Sequence, residues 1–103
     1  MKSKTATGHL RIIGGKWRSR KLDFPAVEQL RPTANRIRET LFNWLQEKVQ
    51  FEDCLDLFAG SGALGLEALS RRAGEVVFVD CERSLLESVK EHLRKMERDT
   101  GFR

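Results

Sequence analysis

Apolar positions change period twice along this chain, and the changes mark out its elements. His9 to Ile13 form a short strand candidate, followed by Gly14-Gly15, a dipeptide suited to a tight hairpin turn. Lys16 to Leu22 is then the returning strand. Pro25 and Pro32 bracket a linker, after which Thr33 is placed to cap a helix. Ala34, Ile37, Leu41, Trp44, Leu45 and Val49 recur at helical spacing. That predicts an amphipathic helix over residues 34–48 with Trp44 in its core stripe. Arg36, Arg38 and Glu39 lie off the stripe, either as a solvated face or as part of a helix that caps a ligand site.

The period then tightens. Cys54 to Phe58 carry three large apolar side chains in five residues, too short a run for a helix. Gly60, Gly62 and Gly65 follow as G-x-G-x-x-G at a strand-to-helix junction, where the backbone turns sharply and stays open to a ligand. The next helix buries Leu64, Ala68 and Leu69, with Arg71 and Arg72 in its last turn and Gly74 beyond. A second strand, Glu75 to Asp80, ends in a carboxylate 20 residues after Gly60, and about 20 is the separation expected of an acid that holds an adenosine ribose. Ser84-Leu-Leu-Glu87 reads as a capping box for a last helix whose apolar face is Leu86, Val89, Leu93 and Met96, stopping at Asp99-Thr-Gly101.

The fold class is therefore α/β: an N-terminal basic hairpin plus helix, then the first β-α-β-α of a Rossmann-like parallel sheet. The expected division is a frayed tail over 1–8, hairpin and linker over 9–32, and half a doubly wound domain over 33–103. It is only half, because an apolar strand such as Cys54–Phe58 needs a neighbour on both sides and cover on both faces.

At 103 residues, 40% hydrophobic and 33% charged, the chain reads as one small globular domain. No apolar run approaches the ~20 residues of a membrane span, and the start lacks a signal-peptide core. Two cysteines at opposite ends of parallel strands argue against a disulfide, which points to the cytosol, and there are too few His and Cys for a zinc site. The net charge of +4 is unevenly spread. Residues 1–40 carry ten Lys/Arg against three acids, and residues 41–103 carry nine against twelve. Five basic residues, Arg11, Lys16, Arg18, Arg20 and Lys21, fall in 11–21 with no acid among them. With Trp17 interleaved, that segment suits a phosphate backbone and a stacked base. It equally suits a solvated edge strand protected by its charges.

Several blocks together carry a family resemblance: Arg11-Ile-Ile-Gly-Gly-Lys-Trp-Arg, Leu30-Arg-Pro-Thr33, Arg36-Ile-Arg-Glu-Thr-Leu-Phe-Asn-Trp-Leu45 and Leu57-Phe-Ala-Gly-Ser-Gly-Ala-Leu-Gly-Leu-Glu-Ala-Leu-Ser70. From about Leu10 to Leu93 the chain resembles the N-terminal part of the bacterial methyltransferases that modify guanine N2 in 16S ribosomal RNA. The resemblance implies S-adenosylmethionine as cofactor. Asp56, Phe58, Ala59, Gly60, Ser61 and Gly62 would face its methionine end, Asp80 its ribose and Cys81 its adenine. It also implies RNA contacts from Arg11, Lys16, Trp17, Arg18, Arg20, Lys21, Arg31 and Arg36, in a cytoplasmic enzyme that is monomeric at full length.

One family element is missing. Such enzymes present the target amine to an Asn/Asp-Pro-Pro-Phe/Tyr loop, and here Pro25 and Pro32 are the only prolines. No catalytic residue is expected in this chain, which should be inactive alone and prone to association. Two other readings stay open: a non-catalytic RNA-binding module, and a nicotinamide-dependent dehydrogenase using the same glycines. Against the second stands Asp56, an acid in a strand that dinucleotide folds usually keep apolar.

Overall fold

In the computed structural model, residues 7–25, 35–57 and 59–100 are described. The expected linker, the Thr33 cap, Arg31, Phe58 and Gly101 lie outside them. Strand β1 (Thr7–Arg11) pairs antiparallel with β2 (Lys21–Pro25), Leu10 opposite Leu22 and Gly8 opposite Phe24. β1 thus starts within the expected tail and ends before Ile13.

Gly14-Gly15 does not make a two-residue turn. Ile12 to Arg20 form a wound loop, closed where the Ile12 N–H donates to the Arg20 carbonyl at 2.9 Å and the Ser19 N–H to that of Ile12 at 2.8 Å. The basic segment lies largely on this loop, and only Lys21 and Leu22 continue as strand.

Helix α1 spans Asn35–Leu45. Strand β3 (Asp53–Leu57) runs parallel to β4 (Glu75–Val79), Leu55 opposite Val77. Between them lies α2 (Ala63–Ser70), and α3 (Arg83–Thr100) follows β4. The β-α-β-α order is the expected one. The last helix starts one residue ahead of Ser84, whose hydroxyl donates to the Glu82 carboxylate instead of capping. Its deepest first-turn residue is Leu85, with Leu86 only half buried.

Helix α2 is the centre of the molecule. Leu66, Glu67 and Ser70 are wholly buried, and Ala63, Gly65 and Ala68 nearly so. On one side Leu10, Ile12, Trp17, Leu22 and Phe24 of the hairpin pack with Leu66 and with Leu85, Val89 and Met96 of α3. The hairpin therefore shares a core with the β-α-β-α unit. On the other side Phe42 and Val49 pack with Ala68, Leu64, Cys54 and Val76.

The α1 stripe is displaced from its expected face. Phe42 and Arg38 are buried, whereas Ile37 and Trp44 are 62% and 76% exposed. Trp44 is thus a surface residue, and Arg38 is the reverse of a solvated one. Pleating sends Cys54, Asp56, Val76 and Phe78 toward α2, and leaves Leu55, Leu57, Val77 and Val79 on an open apolar face. Both thiols are free, the parallel register placing Cys54 and Cys81 at opposite ends of the sheet. No helix among the described residues is long and apolar enough to cross a membrane.

Candidate functional site

The turn after β3 is built by backbone conformations that L side chains rarely adopt. Gly60 has φ 58° and Gly62 φ 86°. A Cβ on Gly62 would also meet Val89 Cγ2 at 2.6 Å. Gly65 is needed for another reason: a Cβ there would lie 2.3 Å from the Phe78 ring, so its absence lets α2 seat on the sheet. The Ala59 N–H donates to the Val79 carbonyl and the Gly62 N–H to that of Ala59, both at 2.8 Å, which carries the sheet pairing into the turn.

Two carboxylates brace this turn from opposite sides. Asp80 accepts the Gly60 N–H on Oδ2 and the Glu82 N–H on Oδ1, each at 2.8 Å. These amides, Glu82 foremost, hold its carboxyl below the usual range, so it stays ionised. Cys81 beside it is exposed. Asp56 lies under the turn, 8% exposed, and accepts the Gly65 N–H at 2.9 Å. Burial pushes its carboxyl up, the Gly65 N–H opposes this, and the Asp80 charge adds to it. Asp56 and Gly65 also line an apolar cleft between α1 and the sheet, with Leu41, Phe42, Leu45 and Leu64. Ala59, Gly60, Ser61 and Gly62 are brought together and buried.

The basic set divides. Arg11, Arg18, Lys21 and Arg36 are exposed, while Lys16 and Arg20 are half buried. Lys16 Nζ stands 4.8 Å from the centre of the Trp17 ring. Trp17 itself is 2% exposed, packed in the core between hairpin and helices. Its indole is not available to stack on a base, which corrects the expectation drawn from its basic neighbours. Burial of an aromatic this large outweighs what an exposed ring would gain from a ligand.

Sequence reasoning missed a polar cluster at the far end of α2. Glu67, fully buried, accepts the Ile13 N–H at 3.0 Å and the Gly14 N–H at 2.8 Å, one on each carboxylate oxygen. Arg71 Nε donates to it at 2.9 Å, and Arg38 Nε lies 3.4 Å away as a buried ion pair. Arg38 also donates to the Arg11 carbonyl and to Asn35 Oδ1, tying α1 to the hairpin. Ser70 Oγ donates to the Gly14 carbonyl at 2.5 Å and accepts the Trp17 N–H at 3.0 Å, and the Lys16 N–H reaches the Ser70 carbonyl at 2.8 Å. One cue was present: an acid inside Ala63-Leu-Gly-Leu-Glu-Ala-Leu-Ser70, an otherwise apolar helix, needs a buried partner.

The chain matches the family described as Conserved hypothetical protein 95 over residues 10–102. It is 51% identical over 89 residues to ribosomal RNA small subunit methyltransferase D of Escherichia coli K12, covering 86% of this chain and 45% of that protein. It is 46% identical over 96 residues to the Haemophilus influenzae protein of the same name, covering 93% and 50%. Among solved structures, yhhF from Escherichia coli superposes with TM-score 0.76 at 50% identity, over 87% of this chain and 49% of that one. A hypothetical protein of Thermus thermophilus does so with TM-score 0.68 at 39% identity, over 82% and 48%. The chain spans about half the length of the relatives it matches. Its fold is a partial Rossmann-like methyltransferase fold, and the chain belongs to the family of the small-subunit ribosomal RNA methyltransferase D proteins, of which it corresponds to the N-terminal part.

Proposed function

We propose that this chain is the cofactor-binding and RNA-gripping half of a cytoplasmic enzyme that methylates guanine N2 in 16S ribosomal RNA, with S-adenosylmethionine as donor. The observation that carries the cofactor reading is the pair of acids around the glycine turn. Asp80 is a half-buried, ionised acceptor of the kind that suits the vicinal hydroxyls of a ribose. Asp56 already accepts an N–H of the first turn of α2, so this helix start offers a second anion less than an uncapped one would. That disfavours the pyrophosphate of a dinucleotide and suits a zwitterionic amino-acid end.

When bound, the cofactor supplies an electrophilic methyl group. The residues Phe58 to Gly62 would hold and orient it, with Asp80 serving its ribose and Cys81 its adenine. Asp56 would face its methionine end while fixing the helix start through the Gly65 N–H. Arg11, Lys16, Arg18, Arg20 and Lys21, with Arg31 and Arg36 nearby in sequence, grip phosphates. The guanine amine is a poor nucleophile because its lone pair is delocalised into the ring, and turning it toward a methyl carbon needs acceptors on the Asn/Asp-Pro-Pro-Phe/Tyr loop. This chain has no such loop, so it transfers no methyl group alone.

Calorimetry of the complete enzyme with S-adenosylhomocysteine and with NAD tests the reading. Asp80→Ala loses a charged acceptor worth roughly 1.5–3 kcal/mol, and S-adenosylhomocysteine affinity should fall about 10- to 100-fold. NAD binding, or unchanged affinity in Asp80→Ala, would overturn it.

A further inference from the structure

The loop that carries the basic side chains is held to α2 by its backbone. Five polar links join residues 13–17 to Glu67 and Ser70, and every one uses a main-chain group on the loop side. Gly14 and Gly15 exist for this approach. A Cβ on Gly15, whose φ is +82°, would stand 2.0 Å from the Ser70 carbonyl oxygen, and one on Gly14 would meet the Arg71 guanidinium at 2.8 Å. The same eight-residue helix begins at the glycine turn. At 1.5 Å per residue, Glu67 and Ser70 lie about 7.5 and 12 Å along it from Gly62.

We propose that Glu67 is a positioning residue for RNA: it fixes the basic loop at a set distance from the cofactor turn, so that phosphates gripped by Lys16, Arg18 and Arg20 place their strand against the methyl donor. The inference rests on the RNA-binding reading above. A merely stabilising role is poorly served by this chemistry, since a buried ion pair often contributes less to stability than apolar residues of equal volume. What a buried carboxylate does well is specify one arrangement of the N–H groups around it. Arg38 and Arg71 offset its charge, and they leave its two oxygens facing the Ile13 and Gly14 amides.

The test compares parent and Glu67→Gln in the 103-residue chain, using anisotropy of a labelled RNA stem-loop of 16S sequence across a salt series, with hydrogen exchange on both proteins. Gln keeps the shape but places an amide N–H₂ against a donor. The expected result is loss of exchange protection over residues 12–20, unchanged protection over 59–62, and a slope of log K against log salt lower by about 0.7–0.9 for each phosphate the loop no longer grips. Replacing Lys16, Arg18, Arg20 and Lys21 together by Ser sets the full loss. Should Glu67→Gln not fold, Ser70→Ala removes only the Gly14 and Trp17 links, and the same slope change, smaller, is expected. An unaltered slope in the folded variant overturns the proposal. So does protection lost equally at the turn and the loop, which would mark a general structural role. A parent that binds RNA without salt dependence overturns the RNA reading itself, and this inference with it.

Discussion

Trp17 is the residue on which sequence and structure disagree most usefully, and its replacement has a calculable outcome. The indole is 2% exposed, in a cluster with Leu10, Leu22, Leu66 and Met96. Truncating a buried Trp to Ala costs about 3–5 kcal/mol, a large fraction of the roughly 5–15 kcal/mol that holds a typical domain. Trp17→Phe should behave differently. The indole Nε1–H is buried with no partner among the described residues, a burden of about 1–3 kcal/mol that Phe removes. That gain offsets much of the apolar packing given up with the larger ring, so Trp17→Phe should stay within about 1.5 kcal/mol of the parent. Urea unfolding followed by far-ultraviolet circular dichroism measures both, and avoids using the altered side chain as reporter. RNA affinity of folded Trp17→Phe should equal that of the parent. An Ala variant within about 1 kcal/mol of the parent would refute the core assignment, and a Phe variant as damaged as the Ala one would mean that the indole N–H has a partner.

Two further outcomes follow from the sheet. The Asp56 carboxyl is raised, chiefly by burial, so the stability it contributes is full below the ordinary carboxylate value of about 4 and is lost as pH rises through the raised one. Asp56→Asn should therefore be more stable than the parent at pH 7, with the difference closing as pH falls toward 4. Taking the difference between variants cancels Asp80, which is lowered and acts in the opposite direction. A constant difference across that range would refute the assignment. Leu55 and Val77, neighbours across the parallel pair, are 62% and 51% exposed on the open face. Size-exclusion chromatography should find the 103-residue chain associated, and Leu55→Lys with Val77→Glu should shift it toward monomer with unchanged helix content; equal elution of the two would count against that face as the cause.

Local chemistry was enough for the elements and their order. Glycines at Gly60 and Gly62 demand a turn whatever surrounds them, and a four-residue apolar run bounded by charge, Val76 to Val79 between Glu75 and Asp80, has few alternatives to a strand. The terminal acid Asp80 was placed by spacing alone. Whether an apolar residue is covered depends on partners distant in the chain. Trp17 and Trp44 have the same side chain, and a periodic or basic context says nothing of what lies opposite. One met the gap between hairpin and α3, and the other faced out. Arg38 and Glu67, 29 positions apart, became a buried pair only because α1, the hairpin and α2 meet there. Gly14-Gly15 looked like turn chemistry, and what its missing side chains allow is the close approach of a helix end. Burial energies are sums over contacts that packing creates, so the tertiary structure alone decided them.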